Sequence, residues 1–94
     1  MMKSYATIDS IEGKYAVCEL ELVDTENSLQ LSFIDKDTVM LDITLETITS
    51  IIGDVIEGDV LVLEHEDGKL QNVCYKDDAE KFRRVELLKA MQQK

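Results

Sequence analysis

Few residues in this chain have the types needed for covalent or metal chemistry. There is one histidine, His65, two cysteines, Cys18 and Cys74, and twenty acidic residues. His65 sits in Glu64-His65-Glu66-Asp67, where one imidazole beside carboxylates could hold a divalent metal. On a strand, however, Glu64 and Glu66 point away from His65, and a single nitrogen ligand makes a poor transition-metal site. The residue reads instead as a solvent-facing hairpin histidine. A minimal hydrolase using His65 is the third functional reading, behind an interaction module and a nucleic-acid-binding barrel. The cysteines lie in the apolar segments Ala16-Val17-Cys18-Glu19-Leu20 and Asn72-Val73-Cys74-Tyr75, with no basic or histidine neighbour to form a thiolate. Both read as reduced, buried packing residues, with a cross-strand disulfide as the alternative. The carboxylates are numerous enough to pair by chance, but a chain of 94 residues offers little volume for a substrate cleft. Asp35-Lys36-Asp37 and Asp54…Glu57…Asp59 resemble fragments of calcium loops without the EF-hand ligand order. Gly13, Gly53, Gly58 and Gly68 are isolated, so there is no phosphate-binding loop. The sequence therefore predicts no catalytic residue, no metal site and no cofactor.

Charge constrains the partners. Residues 1–76 hold sixteen acids against five lysines, whereas residues 77–94 hold four acids against five bases, within a net charge of −10. An acidic body repels phosphate backbones and anionic headgroups, which disfavours nucleic acid and membranes and favours basic proteins or the chain's own tail. The start, Met1-Met2-Lys3-Ser4-Tyr5, has no apolar h-region, and no apolar run approaches the length of a membrane span. These features predict a cytoplasmic protein.

Two-residue alternation dominates the elements that would position any site. Residues 15–23 put Cys18, Leu20 and Leu22 on one face and Glu19 and Glu21 on the other. Residues 29–34 would turn Leu29, Leu31 and Phe33 inward, and 39–45 would do so with Val39, Leu41, Ile43 and Leu45. The opening segment 4–11, with Tyr5, Ile8 and Ile11, is a further strand. Glu12-Gly13-Lys14 and Asp67-Gly68 are hairpin turns, and Asp35-Lys36-Asp37 is another turn. Glu57-Gly58-Asp59 reads as a solvated turn before Val60-Leu61-Val62-Leu63, an apolar run covered on both faces, one of them by the C-terminal helix. It pairs through the Asp67-Gly68 turn with 70–75. Leu45, Ile48, Ile51 and Ile52 have helical spacing, and Gly53 stops a short helix or 3₁₀ turn there.

Residues 77–94 form a second kind of element. Asp77 or Asp78 caps a helix, Glu80 adds charge to its first turn, and Lys89 and Lys94 suit its negative end. Phe82 and Val85 lie near one face. At about 100° per residue, Leu87, Leu88 and Met91 centre on a face roughly 150° away. In one reading the helix simply packs in a groove. In the other, Phe82 and Val85 dock on the body while Leu87, Leu88 and Met91 meet a second chain. Arg83-Arg84 either pairs with Glu80 and the acidic body or bridges chains, since guanidinium forks bind carboxylates bidentately.

Three segments carry a family resemblance: Ile8-Asp9-Ser10-Ile11-Glu12-Gly13-Lys14-Tyr15-Ala16-Val17, Glu57-Gly58-Asp59-Val60-Leu61 and Asp77-Asp78-Ala79-Glu80-Lys81-Phe82-Arg83-Arg84. Together they resemble a bacterial domain-of-unknown-function family, the one numbered three thousand and six. The resemblance implies a short β-barrel with an acidic, Arg-containing terminal helix. It also implies an accessory role, as some members accompany metallo-β-lactamase-fold proteins. It does not cover Asp24 to Met40, where this chain carries an extra or lengthened hairpin, and Ile51-Ile52-Gly53 stands where the family has a Leu-Pro pair.

The expected fold is mainly β: a five- or six-stranded antiparallel barrel or rolled sheet, SH3-like or OB-like, with a short helical bridge. Residues 1–76 would form the barrel and 77–94 a helix covering one end, as one folding unit. The expected function is a non-enzymatic protein-interaction or accessory module. It would bind a protein partner or itself through Arg83, Arg84, Leu87, Leu88 and Met91. The alternative is an OB-like barrel binding single-stranded nucleic acid by stacking Tyr5, Tyr15, Phe33 and Tyr75, which the acidic charge opposes.

Overall fold

The structure, a computed structural model, describes residues 1–28 and 37–92. The strand expected at 29–34 and most of the Asp35-Lys36-Asp37 turn lie outside these residues. Five strands form one antiparallel sheet: β1 (Met2–Glu12), β2 (Tyr15–Glu21), β3 (Thr38–Thr44), β4 (Val60–Glu66) and β5 (Lys69–Lys76), in the order β3-β2-β1-β4-β5. Among the described residues three helices accompany the sheet: α1 (Thr25–Ser28), α2 (Leu45–Ile52) and α3 (Asp78–Gln92). Strand β4 returns beside β1 after the β1-β2-β3 run, which is Greek-key connectivity. It is the connectivity of an OB-like barrel rather than a simple meander.

Local chemistry sets the connections. The β1–β2 turn is Gly13-Lys14, with Gly13 at φ 61°, and the β4–β5 turn is Asp67-Gly68, at φ 53° and 79°. At Asp67-Gly68 positive φ at both central residues matches the right-handed twist of the strands, and this pair tolerates it. Helix α2 begins at Thr44, whose Oγ1 accepts from the Thr47 N–H at 3.3 Å, and stops at Gly53, φ 84°.

Strand bulges explain why the apolar pattern of β1 is not a plain alternation. Ile8 pairs with Cys18 and Ser10 with Val17, so Asp9 is an extra residue that shifts the parity. Ile8 and Ile11 consequently both pack in the main core, while Tyr5 faces the other side. That core joins Ala6, Ile8, Ala16, Cys18, Leu20, Ile43, Leu61, Leu63 and Val73 with Ile48 of α2. Burying Ile48 completely contributes about 1.5–3 kcal/mol. Cys18 is buried and Cys74 half-buried, both as free thiols.

Three expectations change. Among the described residues the sheet is rolled but not closed, with β3 and β5 as its edges. Helix α2 packs against both edges at one end. At the other, the Val39 side chain lies over the Gly68 turn, 3.6 Å from where a Cβ would stand. The end of the roll is plugged by α2, whereas α3 lies on the outer face, beside a small second core of Tyr5, Val60 and Val62. Residues Val60–Leu63 are accordingly buried on both faces, as their unbroken apolar run requires. Leu22, expected to face inward, follows the end of β2 and is exposed.

Candidate interaction surface

Helix α3 is anchored at its first turn. Asp77 N–H donates to Val60 O at 2.8 Å, and Asp77 Oδ1 accepts from the Glu80 N–H at 2.9 Å, so Asp77 is the cap. Tyr5 donates its hydroxyl to Asp77 Oδ2 at 3.3 Å. Burial, and then the negative charge of Asp77 and Glu80, pushes the Tyr5 phenol up to about 12. The helix start is thereby tied to both β4 and β1.

The inward face of α3 is charged. Glu80 and Arg84, one turn apart, are both buried against the sheet. Arg84 Nε donates to Glu80 Oε2 at 2.6 Å and its Nη1 to Glu21 Oε2 at 2.5 Å, while the guanidinium stacks over Tyr5 at 4.9 Å. Arg83 grips Glu80 from the other side, Nε to Oε1 at 2.7 Å and Nη2 to Oε2 at 2.8 Å. Burial alone would raise the Glu80 carboxyl, but the bonds from Arg83 and Arg84 outweigh it and hold it below the usual range. Lys81 reaches Asp59 Oδ1 at 2.7 Å. Asp59, expected in a solvated turn, is buried and also accepts the Ile56 N–H at 2.8 Å. These bonds overcome its burial and lower its pKa.

The apolar side chains of α3 are left exposed instead. Phe82 is 72 % exposed, and Val85, Leu88 and Met91 are each between 41 and 47 % exposed. Phe82 therefore does not dock on the body, and Val85 only borders it, contrary to the two-face expectation. Of the residues expected to bind a partner, Leu88 and Met91 are exposed and Leu87 is half-buried. Arg83 and Arg84 are engaged by acids of their own chain. One signal in the sequence points to this arrangement. Glu80 and Arg84 have the i, i+4 spacing of a helix ion pair, and Glu21 lies on the polar face of β2.

A groove of about 410 Å³ runs between α3 and the outer face of β1 and β2. Val85 and Leu88 form one wall, Asp9 and Glu19 the other, with Val60 and Arg84 also lining it.

His65 is buried, not solvent-facing. Ser4 Oγ donates to Val23 O at 2.8 Å and lies 2.9 Å from His65 Nε2, while Gly68 N–H donates to His65 Nδ1 at 3.3 Å. With Nδ1 accepting and the serine proton committed to Val23, His65 carries its proton on Nε2 and donates to Ser4. A general base would need the reverse. The pair pins β1 to the β4–β5 turn, beside an opening of about 720 Å³ lined by Met2, Leu22, Val39 and Gly68. The Cys18 thiol is pushed up to about 11 by burial and then by Asp42, which disfavours the reactive thiolate. Among the described residues, no group of three or more His, Cys, Asp or Glu side chains is placed to hold a metal ion. No helix among them is long and apolar enough to cross a membrane.

No protein-family model, curated protein or solved structure matches the chain.

Proposed function

We propose that this chain is a non-enzymatic protein-interaction module that presents the exposed apolar side chains of α3 to a protein partner or to a second copy of itself. The observation that supports this reading is the inverted polarity of the helix. A helix packed on its own domain normally buries its apolar residues. Here Glu80 and Arg84 are buried while Phe82, Val85, Leu88 and Met91 are exposed. Spaced at i, i+3, these four side chains follow one another as an exposed apolar ridge that winds along the helix, and contiguous exposed apolar area marks association surfaces. Leu88 and Met91 remain contact residues in this reading, joined by Phe82 and Val85, while Arg83 and Arg84 hold the helix in its orientation. A cytoplasmic setting and the resemblance to the bacterial family numbered three thousand and six, with its accessory role, belong to the same proposal.

The test compares the wild type with a Phe82→Ser/Val85→Ser/Leu88→Ser variant by sedimentation velocity and by affinity capture from the native cell. The variant is expected to keep its fold and lose self-association or partner capture. If it stays folded and associates as the wild type does, this reading fails.

The OB-like strand order favours a second reading, single-stranded nucleic-acid binding. Such barrels bind across their second and third strands. Here the outer face of β2 and β3 carries Glu19, Met40 and Asp42, which would repel phosphates. Micromolar binding of a labelled oligonucleotide at low salt would restore it.

A further inference from the structure

The groove beside α3 combines two kinds of surface. On the helix side Val85 and Leu88 offer apolar area, continued by Val60 beneath. On the sheet side Asp9 and Glu19 are exposed and, among the described residues, neither has an ion-pair partner. The cations that line the groove are already engaged: Lys81 by Asp59, and Arg84 by Glu21 and Glu80. Two residues after Thr7, Asp9 lies on the same outer face, and the register partner of Thr7 is Glu19. The two carboxylates thus line one wall, facing an aliphatic wall across the groove.

Taking the interaction-module reading as its basis, we propose that this groove binds a basic, amphipathic segment of a partner protein through its arginine or lysine side chains. A long cationic side chain is apolar along its stem and charged at its tip. Its methylenes lie on Val85 and Leu88, and its head reaches Asp9 and Glu19. Arginine suits the pair best, because its planar fork can engage a carboxylate bidentately while its stem stays on the apolar wall. The net charge of −10 steers such a partner toward the chain, and the groove decides where it settles. Nucleic acid and anionic lipid are repelled by the same charges. At about 410 Å³ the groove accommodates side chains rather than a whole folded element.

The probe is a fluorescein-labelled synthetic peptide with arginine and leucine at helical spacing, measured by fluorescence anisotropy at physiological ionic strength. A peptide with glutamate in place of arginine serves as the control. The wild type is expected to bind the arginine peptide and not the glutamate one. Asp9→Lys/Glu19→Lys is expected to weaken binding about tenfold or more. Glu46→Lys/Asp54→Lys, the same change in net charge on exposed residues of α2 and the loop after it, is expected to change it less than about threefold. Equal weakening by the two pairs would show attraction to net charge alone and overturn the groove. So would failure of the wild type to bind the arginine peptide. In either case Phe82→Ser separates the two proposals. If that substitution still abolishes association with the natural partner, α3 remains an interaction surface and only the groove is lost.

Discussion

Replacing Arg84 with alanine removes the guanidinium that lies between Glu21 and Glu80 under α3. Both acids are buried, each about 4 % exposed, so neither can turn to water without moving the helix. Removing one partner from a buried ionic cluster costs about 3–5 kcal/mol, because the remaining charge keeps its desolvation penalty. Glu80 retains its two bonds from Arg83, which places the electrostatic cost near the lower end of that range. Loss of the stacking over Tyr5 adds about 0.5–2 kcal/mol. A total of roughly 3–5 kcal/mol is a large share of the stability expected for 94 residues, about 5–14 kcal/mol. The assay is urea unfolding followed by far-UV circular dichroism at neutral pH, with the slope fitted separately from the midpoint. Arg84→Lys should recover only part of the loss, since a single ammonium cannot serve both carboxylates in the same geometry. Glu21→Leu/Arg84→Met removes both charges together and should recover most of it, to within about 1 kcal/mol of the wild type. A loss below about 1 kcal/mol in Arg84→Ala would refute the claim that α3 docks through its charged face.

Three further outcomes follow from the same geometry. Asp59 and Glu80 have folded-state pKa values below their unfolded ones, so their stabilisation is complete above the ordinary carboxylate range and is lost as pH falls through the folded values. Unfolding midpoints should therefore drop as pH falls from about 5 toward 3, and Asp59→Asn should make that drop shallower; an unchanged acid limb in the variant would contradict it. Cys74 should react with a thiol-specific disulfide reagent in the native protein, slowly because burial and then Glu64 raise its pKa, while Cys18 reacts only on unfolding. Phe82→Ser should shift stability by about 0.5 kcal/mol or less, whereas Ile48→Ala should cost about 2–5 kcal/mol, both read from thermal or urea unfolding.

Features set by neighbouring residues were legible in the sequence. Helix α2 runs from Leu45 to Ile52 because its apolar spacing, the Thr44 hydroxyl and Gly53 all act within a few residues of one another. The Gly13 and Asp67-Gly68 turns are local in the same sense. The unbroken run Val60–Leu63 correctly implied cover on both faces, and Asp77 acts as the helix cap. What escaped depends on distant pairs. The orientation of α3 is set by Arg84 meeting Glu21, 63 positions earlier, and apolar periodicity is blind to a helix that buries charge. His65 is buried because Ser4, 61 positions earlier, supplies a partner for its ring. In isolation, its acidic neighbours suggested a solvated turn. The open sheet was equally out of reach, since α2 packs against edge strands that are adjacent only in the folded chain.

Photo-crosslinking in the native cell reads directly whether the exposed apolar ridge of α3 is a recognition surface. A photoreactive residue is placed at Phe82 in one variant and at Glu46, an exposed position on α2, in another. One or a few discrete adducts are expected from position 82, to a partner protein or to a second copy of the chain, and none of these from position 46. Absence of any discrete adduct at position 82, or the same adducts from both positions, would contradict that role.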